Sequence, residues 1–265
     1  GKDYKIIKAD LVNKNLFNSL ESDFDYIFHL AAQAGVRYSI KNAAEVSHNN
    51  ITSTVNIFEY ALKTNIKKIA FASSSSIYGN PEYTPVDEKH PKNPISPYAI
   101  TKLTGEIYAD YYYQHRDLPV TSLRFYTVYG PRGRPDMAIR KFFKLFLSDE
   151  EITVYGDGNQ LRDFTYVSDL VDGLILAAET DKATGEAFNL GVSNPISVNQ
   201  LIEKMYKITG KPRKIRHIEK QPGDVEITHS DTTKAKELLN YHPQVDIDKG
   251  LSITYDWMKK VNRMD

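Results

Sequence analysis

The chain has 265 residues, with 34 lysines and arginines against 34 aspartates and glutamates, so bulk charge favours neither nucleic acid nor a membrane surface as a partner. It has no cysteine, which excludes disulfides, iron–sulfur clusters and cysteine-ligated zinc. No apolar run approaches the roughly 20 residues that span a bilayer, and Gly1–Asp10 is too polar for a signal peptide, so a soluble cytoplasmic protein is expected.

Taken along the chain, Tyr4–Asp10 (YKIIKAD) reads as an interior strand. Asp25–Leu30 (DYIFHL) and Ile69–Ser73 (IAFAS) read as buried strands, and between them Ile51, Val55, Phe58 and Leu62 fall on one helical face. Asn50-Ile51-Thr52 matches a glycosylation sequon, read here as chance. Pro97–Arg116 predicts a long helix and Val120–Phe125 (VTSLRF) a strand. Val167–Thr180 predicts another helix and Ala187–Leu190 a short strand. This rhythm predicts an α/β fold, a parallel sheet covered by helices. From about Pro195 the pattern changes: Val198–Thr209 and Thr232–Leu239 read as helices, joined by links such as Gln221-Pro222-Gly223-Asp224. A smaller, mostly helical domain is expected there. The boundaries place residues 1–135 and 160–192 in the first domain, and 136–159 and 193–265 in the second. There is no internal repeat and no low-complexity tract.

The chemistry centres on a serine run followed by Tyr-x-x-x-Lys. Tyr98 and Lys102 are four apart on a predicted helix, so both project from one face. An ammonium beside a phenol favours the phenolate, giving a base for a hydroxyl proton. The pair alone is weak, because Tyr4/Lys8 and Tyr255/Lys259 have the same spacing. Only Tyr98 lies on a helix that follows a strand ending in Ser73-Ser74-Ser75-Ser76. A dinucleotide-binding sheet normally opens with a strand, a glycine-rich turn and a helix that holds the pyrophosphate. Neither G-x-G-x-x-G nor G-x-x-G-x-x-G occurs in this chain. With Tyr4–Asp10 read as an interior strand, the expectation is that such a start precedes Gly1.

Phe71–Gly79 (FASSSSIYG), Pro97–Lys102 (PYAITK), Leu123–Arg132 (LRFYTVYGPR), Arg162–Asp169 (RDFTYVSD), Phe188–Gly191 (FNLG) and Gly223-Asp224 occur in order. Together they resemble the motifs of extended short-chain dehydrogenases/reductases that act on nucleotide sugars, over nearly the whole chain. Ala31–Ser39 (AAQAGVRYS), Arg124–Ala138 and Gly223–His229 (GDVEITH) are most similar to the UDP-glucuronate 4-epimerases of that family. The resemblance implies a Rossmann-like doubly wound parallel sheet, NAD as cofactor, a UDP-sugar substrate and a homodimer paired through the tyrosine-bearing helix. It makes Tyr98 the catalytic base, with Lys102 and the hydroxyl of Ser74 beside it. Toward NAD it places Asp10, Leu11, Leu30, Ala31, Ala32, Asn50, Tyr126 and Val128, with Tyr98 and Lys102.

For the substrate, the resemblance sets Arg162 on the diphosphate, Tyr155 where uracil stacks and Asp224 in the segment closing over the ribose. Relatives often carry arginine before Gly-Asp, where this chain has Gln221-Pro222, so Lys220, Arg213 and Arg216 become candidates for a second phosphate cation. Ser75, Ser76 and Thr127 offer hydroxyls to a sugar carboxylate, Arg134 a charged fork and Arg37 a second cation. Each has a plainer reading: a loop serine, a surface arginine or, for Tyr155, a core aromatic. Rival activities are a UDP-glucose 4-epimerase, whose relatives usually carry Asn at the place of Thr127, then a UDP-glucuronate decarboxylase, then a non-catalytic scaffold. A 4,6-dehydratase is disfavoured, because it needs an Asp-Glu pair where Ser75-Ser76 stands.

Overall fold

The computed structural model describes residues 4–20, 23–211, 214–220 and 223–261. In chain order its elements are β1 (Tyr26–His29), α1 (Val36–Lys41), α2 (Ala43–Ala61), β2 (Lys68–Ser74), α3 (Pro97–Arg116), β3 (Val120–Phe125), β4 (Thr127–Tyr129), α4 (Ala138–Leu147) and β5 (Ile152–Tyr155). Then follow β6 (Leu161–Arg162), β7 (Phe164–Tyr166), α5 (Val167–Glu179), β8 (Ala187–Leu190), β9 (Ile196–Ser197), α6 (Val198–Thr209), β10 (Ile215–Ile218), α7 (Thr233–Leu239) and α8 (Ile247–Val261).

β2 and β3 are buried along nearly their whole length, as central parallel strands covered on both faces must be. They sit in a sheet ordered β1-β2-β3-β8, every pair parallel. Alternation along β2 sends Ile69 and Phe71 to a core shared with Phe58 and Tyr112, and Ala70 to one shared with Leu174 and Phe188. Helices α2 and α3 thus cover one face and α5 and α7 the other, which is the doubly wound arrangement expected. The buried ammonium of Lys68 binds the sheet to α5, donating to the terminal carbonyls of Ala177 at 3.4 Å and Thr180 at 2.5 Å.

Helix α3 has clear local causes. The Ser96 hydroxyl accepts from the Ala99 amide at 3.2 Å, Pro97 fills the first turn, and Asp117 ends the helix in the left-handed conformation. Gly105 lets it lie close on β2, since a Cβ there would collide with the Phe71 ring. That contact brings the N-terminal turn of α3 to the C-terminal end of β2.

A second core joins α4, α6 and α8 to β5 through Phe143, Phe146, Ile152, Leu201, Met205 and Leu251. This region is less helical than the sequence predicts: β5 pairs in parallel with β10, and β6 antiparallel with β9. Strands of two to four residues carry too few positions for a period to show. Among the described residues no helix is long and apolar enough to cross a membrane.

Two sequence expectations are corrected. Tyr4–Asp10 is not a strand: it enters no ladder, and Tyr4 and Ile6 are 81% and 80% exposed. A strand exists by pairing its amides and carbonyls, and here the Asp10 carbonyl turns instead to the Asn13 amide at 3.1 Å. The buried residues of α2 are Val46, Asn50, Ser53, Thr54, Ile57, Phe58, Tyr60 and Ala61, whereas Ile51, Val55 and Leu62 are half-buried. Hydropathy misplaces the stripe because three of its members are polar and hydrogen-bonded.

Candidate active site

The end of β2 and the start of α3 bring Ser74 and Tyr98 together. The Ser74 Oγ accepts from the Ser76 amide at 3.2 Å and from the Ser76 hydroxyl at 2.9 Å. With both lone pairs engaged, its own proton is left to donate outward, and Tyr98 is its neighbour there. Burial pushes the half-buried Tyr98 phenol above its ordinary pKa, while the Ser74 hydrogen bond and the Arg134 charge pull it down. The four-residue spacing of Tyr98 and Lys102 gives no hydrogen bond between them. The Lys102 ammonium, 6.0 Å from the centre of the Tyr98 ring, donates to the Ala72 carbonyl at 2.5 Å, and burial lowers its own pKa to about 8.

Two buried networks fix this corner. The Asn50 side chain accepts from the Gln33 amide at 2.6 Å and donates to Thr101 at 3.0 Å, and Thr101 donates to the Tyr98 carbonyl at 2.8 Å. Asn50 thereby ties the loop after β1 to the turn carrying Tyr98. Below Ser74, Arg124 grips Glu106 through two hydrogen bonds of 2.9 and 2.8 Å, and Glu106 accepts from Ser73 at 2.5 Å. Arg124 also donates to Tyr78 at 2.8 Å, and Tyr78 to Asn189 at 2.8 Å, so β2, α3, β3 and β8 share one polar knot. His29, next to it, is buried, bonds Thr54 at 2.9 Å, and has its pKa lowered to about 3 by burial and by the Lys102 charge. None of Glu106, Arg124 and His29 was anticipated as a site residue.

Ser74 and Tyr98 open into a cleft of about 760 Å³. Ser75, Ser76, Thr127 and Arg134 line it beside them, as do Tyr126 and Val128. Further along lie Arg37, Tyr155, Arg162 and Asp224. Several expected contacts are already occupied within the protein. The Ser76 hydroxyl is committed to Ser74. Arg134 forks onto Asp136 at 3.1 and 2.5 Å. The Arg37 guanidinium lies 4.3 Å over the Tyr155 ring and pairs with Asp224 at 2.9 Å. Arg162 donates to the carbonyls of Leu161 at 2.8 Å and Glu226 at 3.4 Å and, among the described residues, has no carboxylate in hydrogen-bond contact.

The candidates for a second phosphate cation fare differently. Arg213 falls outside the described residues. Arg216 pairs with Glu151 at 3.1 Å and Lys220 with Glu226 at 2.5 Å. A further cation lining the cleft is Lys141 of α4, 6.0 Å from the centre of the Tyr155 ring. No local motif flags it.

The remaining expected cofactor residues surround the rim of the sheet. Leu30, Ala31 and Ala32 follow β1, with Leu30 52% exposed. Asp10 and Leu11 sit in a turn rather than at a strand end: the Asp10 carboxylate accepts from the Val12 amide at 2.9 Å, and the Leu11 carbonyl accepts from Asn56 at 2.9 Å. The corner suits the nicotinamide end of a dinucleotide. Small side chains leave the rim open at Ala31 and Ala32, a buried ammonium waits at Lys102, and the buried Tyr126 hydroxyl has no hydrogen-bond partner among the described residues.

The sequence profile of the NAD dependent epimerase/dehydratase family matches residues 1–191. A UDP-glucuronate 4-epimerase of Thermodesulfobacterium geofontis is 38% identical over 267 residues, covering 98% of this chain and 81% of that protein. The UDP-glucuronic acid 4-epimerase of Bacillus cereus was solved as a tyrosine-to-phenylalanine mutant with UDP-4-deoxy-4-fluoro-glucuronic acid and NAD. It superposes with a TM-score of 0.92 at 38% identity, covering 96% of this chain and 81% of that one. The UDP-glucose 4-epimerase of Thermotoga maritima, solved with UDP-glucose, superposes with a TM-score of 0.91 at 33% identity, covering 96% and 84%. The chain belongs to the NAD-dependent epimerase/dehydratase family.

Proposed function

We propose that this protein interconverts UDP-glucuronate and UDP-galacturonate by 4-epimerisation. The observation that carries the reading is one cleft with Ser74 and Tyr98 at its base, Ser75, Thr127 and Arg134 beside them, and Tyr155, Arg162 and Asp224 further along. Uncharged donors and one guanidinium beside the base suit a sugar carboxylate, and a half-buried arginine with no carboxylate in hydrogen-bond contact among the described residues suits a diphosphate. Lys141 supplies the second charge toward the diphosphate, in place of the arginine that relatives often carry.

Ala31, Ala32, Lys102 and Tyr126 would hold the nicotinamide end of NAD, whose chemistry would be reversible hydride transfer at sugar C4. Tyr98 takes the O4 proton and later returns it. Ser74, its lone pairs engaged by Ser76, donates a hydrogen bond to the same oxygen and stabilises charge as it develops. Lys102 keeps a positive charge near the Tyr98 ring, while the Ser74 hydrogen bond and the Arg134 charge offset the burial that raises the Tyr98 pKa. Asn50 and the Arg124–Glu106 pair hold these groups in register. A C4 ketone beside a C5 carboxylate is a β-keto acid, and it loses carbon dioxide when the breaking bond aligns with the carbonyl π system. Ser75, Thr127 and Arg134 hold the carboxylate out of that alignment. Arg134 is free to do so because its exposed pair with Asp136 contributes only about 0–1 kcal/mol.

The outer face of α3 exposes Ile100, Ile107 and Tyr111, spaced to lie on one stripe, and we assign it to pairing with a second copy of the chain. Incubation with NAD and UDP-glucuronate, followed by chromatography, tests the activity: UDP-galacturonate is the expected product. A UDP-pentose would make the protein a decarboxylase, turnover of UDP-glucose alone a UDP-glucose 4-epimerase, and no turnover a scaffold.

A further inference from the structure

We infer that the carboxylate of Asp163 is the fixed anchor of the segment covering the nucleotide half of the cleft. It is thereby a positioning residue for the nucleotide and not for the sugar chemistry. The inference rests on the proposed nucleotide-sugar reading of the cleft. Asp163, between β6 and β7, is wholly buried. Its Oδ1 accepts from the Val192 amide at 3.0 Å. Its Oδ2 accepts from the amides of Ser230 at 3.0 Å and Ser193 at 3.2 Å and from the Ser230 hydroxyl at 2.5 Å. No lysine or arginine among the described residues pairs with it, so these donors alone hold a buried charge, and a charged acceptor makes each bond strong. The junction is tight: a Cβ on Gly191 would press on both Ser230 and Asp163.

Asp163 also works through its backbone: its amide donates to the Thr228 hydroxyl of the covering segment at 3.0 Å. Its backbone carbonyl accepts from the Thr127 amide at 3.0 Å and so supports the sugar side. Its side chain holds Ser230, where the covering segment begins. Working back from Ser230, the Thr228 amide donates to the Leu161 carbonyl at 3.0 Å, and the Leu161 amide to the Glu226 carbonyl at 2.9 Å. The segment reaches the cleft at Gly223 and Asp224, where Asp224 is held by its exposed pair with Arg37. A firm base therefore sets where a loosely latched tip can close.

Asp163→Asn keeps the shape and the backbone bond to Thr127 but removes the charge and turns one acceptor into a donor facing amides. UDP titrated into wild type and variant, steady-state kinetics, and amide hydrogen exchange test the inference together. We expect UDP affinity to fall about tenfold or more, KM for the UDP-sugar to rise alike, and kcat to stay within about threefold. Exchange should quicken over residues 223–231 and stay unchanged in β2 and α3. If Asp163→Asn does not fold, Ser230→Ala removes a single donor, and about threefold weaker UDP binding is expected. Unaltered UDP affinity in the folded variant, or a loss confined to kcat, overturns the inference. Wild type that binds no UDP overturns the nucleotide-sugar reading itself, and the inference with it.

Discussion

The guanidinium of Arg37 lies over Tyr155, 4.3 Å from the ring centre, on the ring that the proposed reading assigns to uracil. Stacking of a base on an aromatic ring contributes about 1–3 kcal/mol, against about 0.5–1 for an exposed cation over a ring. On that reading the base should displace Arg37, whose pair with Asp224 is itself exposed. Tyr155→Ala should weaken UDP binding about tenfold, whereas Arg37→Ala should change it less than about threefold or tighten it. Calorimetric titration with UDP decides. A larger loss in Arg37→Ala than in Tyr155→Ala would show that Arg37 binds the nucleotide directly.

Tyr98→Phe should cut turnover about 10²–10⁴-fold while leaving UDP affinity unchanged, since the phenol faces Ser74 and not the nucleotide end. Ser76→Ala should cost less than Ser74→Ala, because Ser76 acts by occupying the lone pairs of Ser74. Single-turnover rates are the measurement. Near-normal rates in Tyr98→Phe would remove the phenol from the chemistry.

Glu106 and Arg124 are 4% and 2% exposed, and their pairing crosses from α3 to β3. Breaking a buried pair from one side leaves an uncompensated charge, so Glu106→Ala should destabilise the fold by about 3–5 kcal/mol. Ser73 and Tyr78 share the knot, so the loss should also show as slower turnover at temperatures where the variant stays folded. Urea unfolding gives the first number. A change under about 1 kcal/mol would mean that the knot relaxes around the missing carboxylate.

His29 sets a pH dependence whose sign follows from its environment. Its pKa is about 3 in the fold, against an ordinary 6.5. Between those values the unfolded chain binds a proton that the folded chain refuses, so stability falls as pH drops through the window. His29→Gln should flatten the stability profile between about pH 4 and pH 6 by about 1.4 kcal/mol per pH unit. Urea midpoints across that range test it, and an unchanged slope would show that His29 takes up its proton in the folded state.

What the sequence revealed about this site depended on whether the cause was local. Helix α3 was legible over its full span because Ser96, Pro97 and the apolar period all lie within it. Ser74 and Tyr98 followed, since β2 and α3 are both locally specified. Helix α8 was not read: Gly250, Ser252 and Thr254 weaken its propensity, and it forms because Leu251, Tyr255 and Met258 pack into the second core. Lys141 and Asp163 were missed for a different reason. Their roles come from neighbours distant in sequence, Tyr155 for one and Ser193 and Ser230 for the other. The spacing of Tyr98 and Lys102 did not show that the ammonium's hydrogen bond goes to the Ala72 carbonyl of β2.

The choice of sugar should reside in Arg134. It reaches the cleft beside Thr127, and its charge acts on the Tyr98 phenol, so it lies close to the reacting end. A hydrogen bond to a charged group contributes about 1.5–3 kcal/mol, against about 1 for a neutral pair. Arg134→Ala should therefore lower kcat/KM for UDP-glucuronate about tenfold or more, and much less for UDP-glucose, which carries a neutral hydroxymethyl group there. Thr127→Ala should act in the same direction and release some UDP-pentose if the carboxylate is held less firmly. The ratio of the two sugars is the quantity to measure, because a folding defect lowers both together. Removing Arg134 also removes a charge that favours the phenolate, a loss common to both sugars that the ratio cancels. Equal losses, or a wild type that prefers UDP-glucose, would move the assignment to UDP-glucose 4-epimerase.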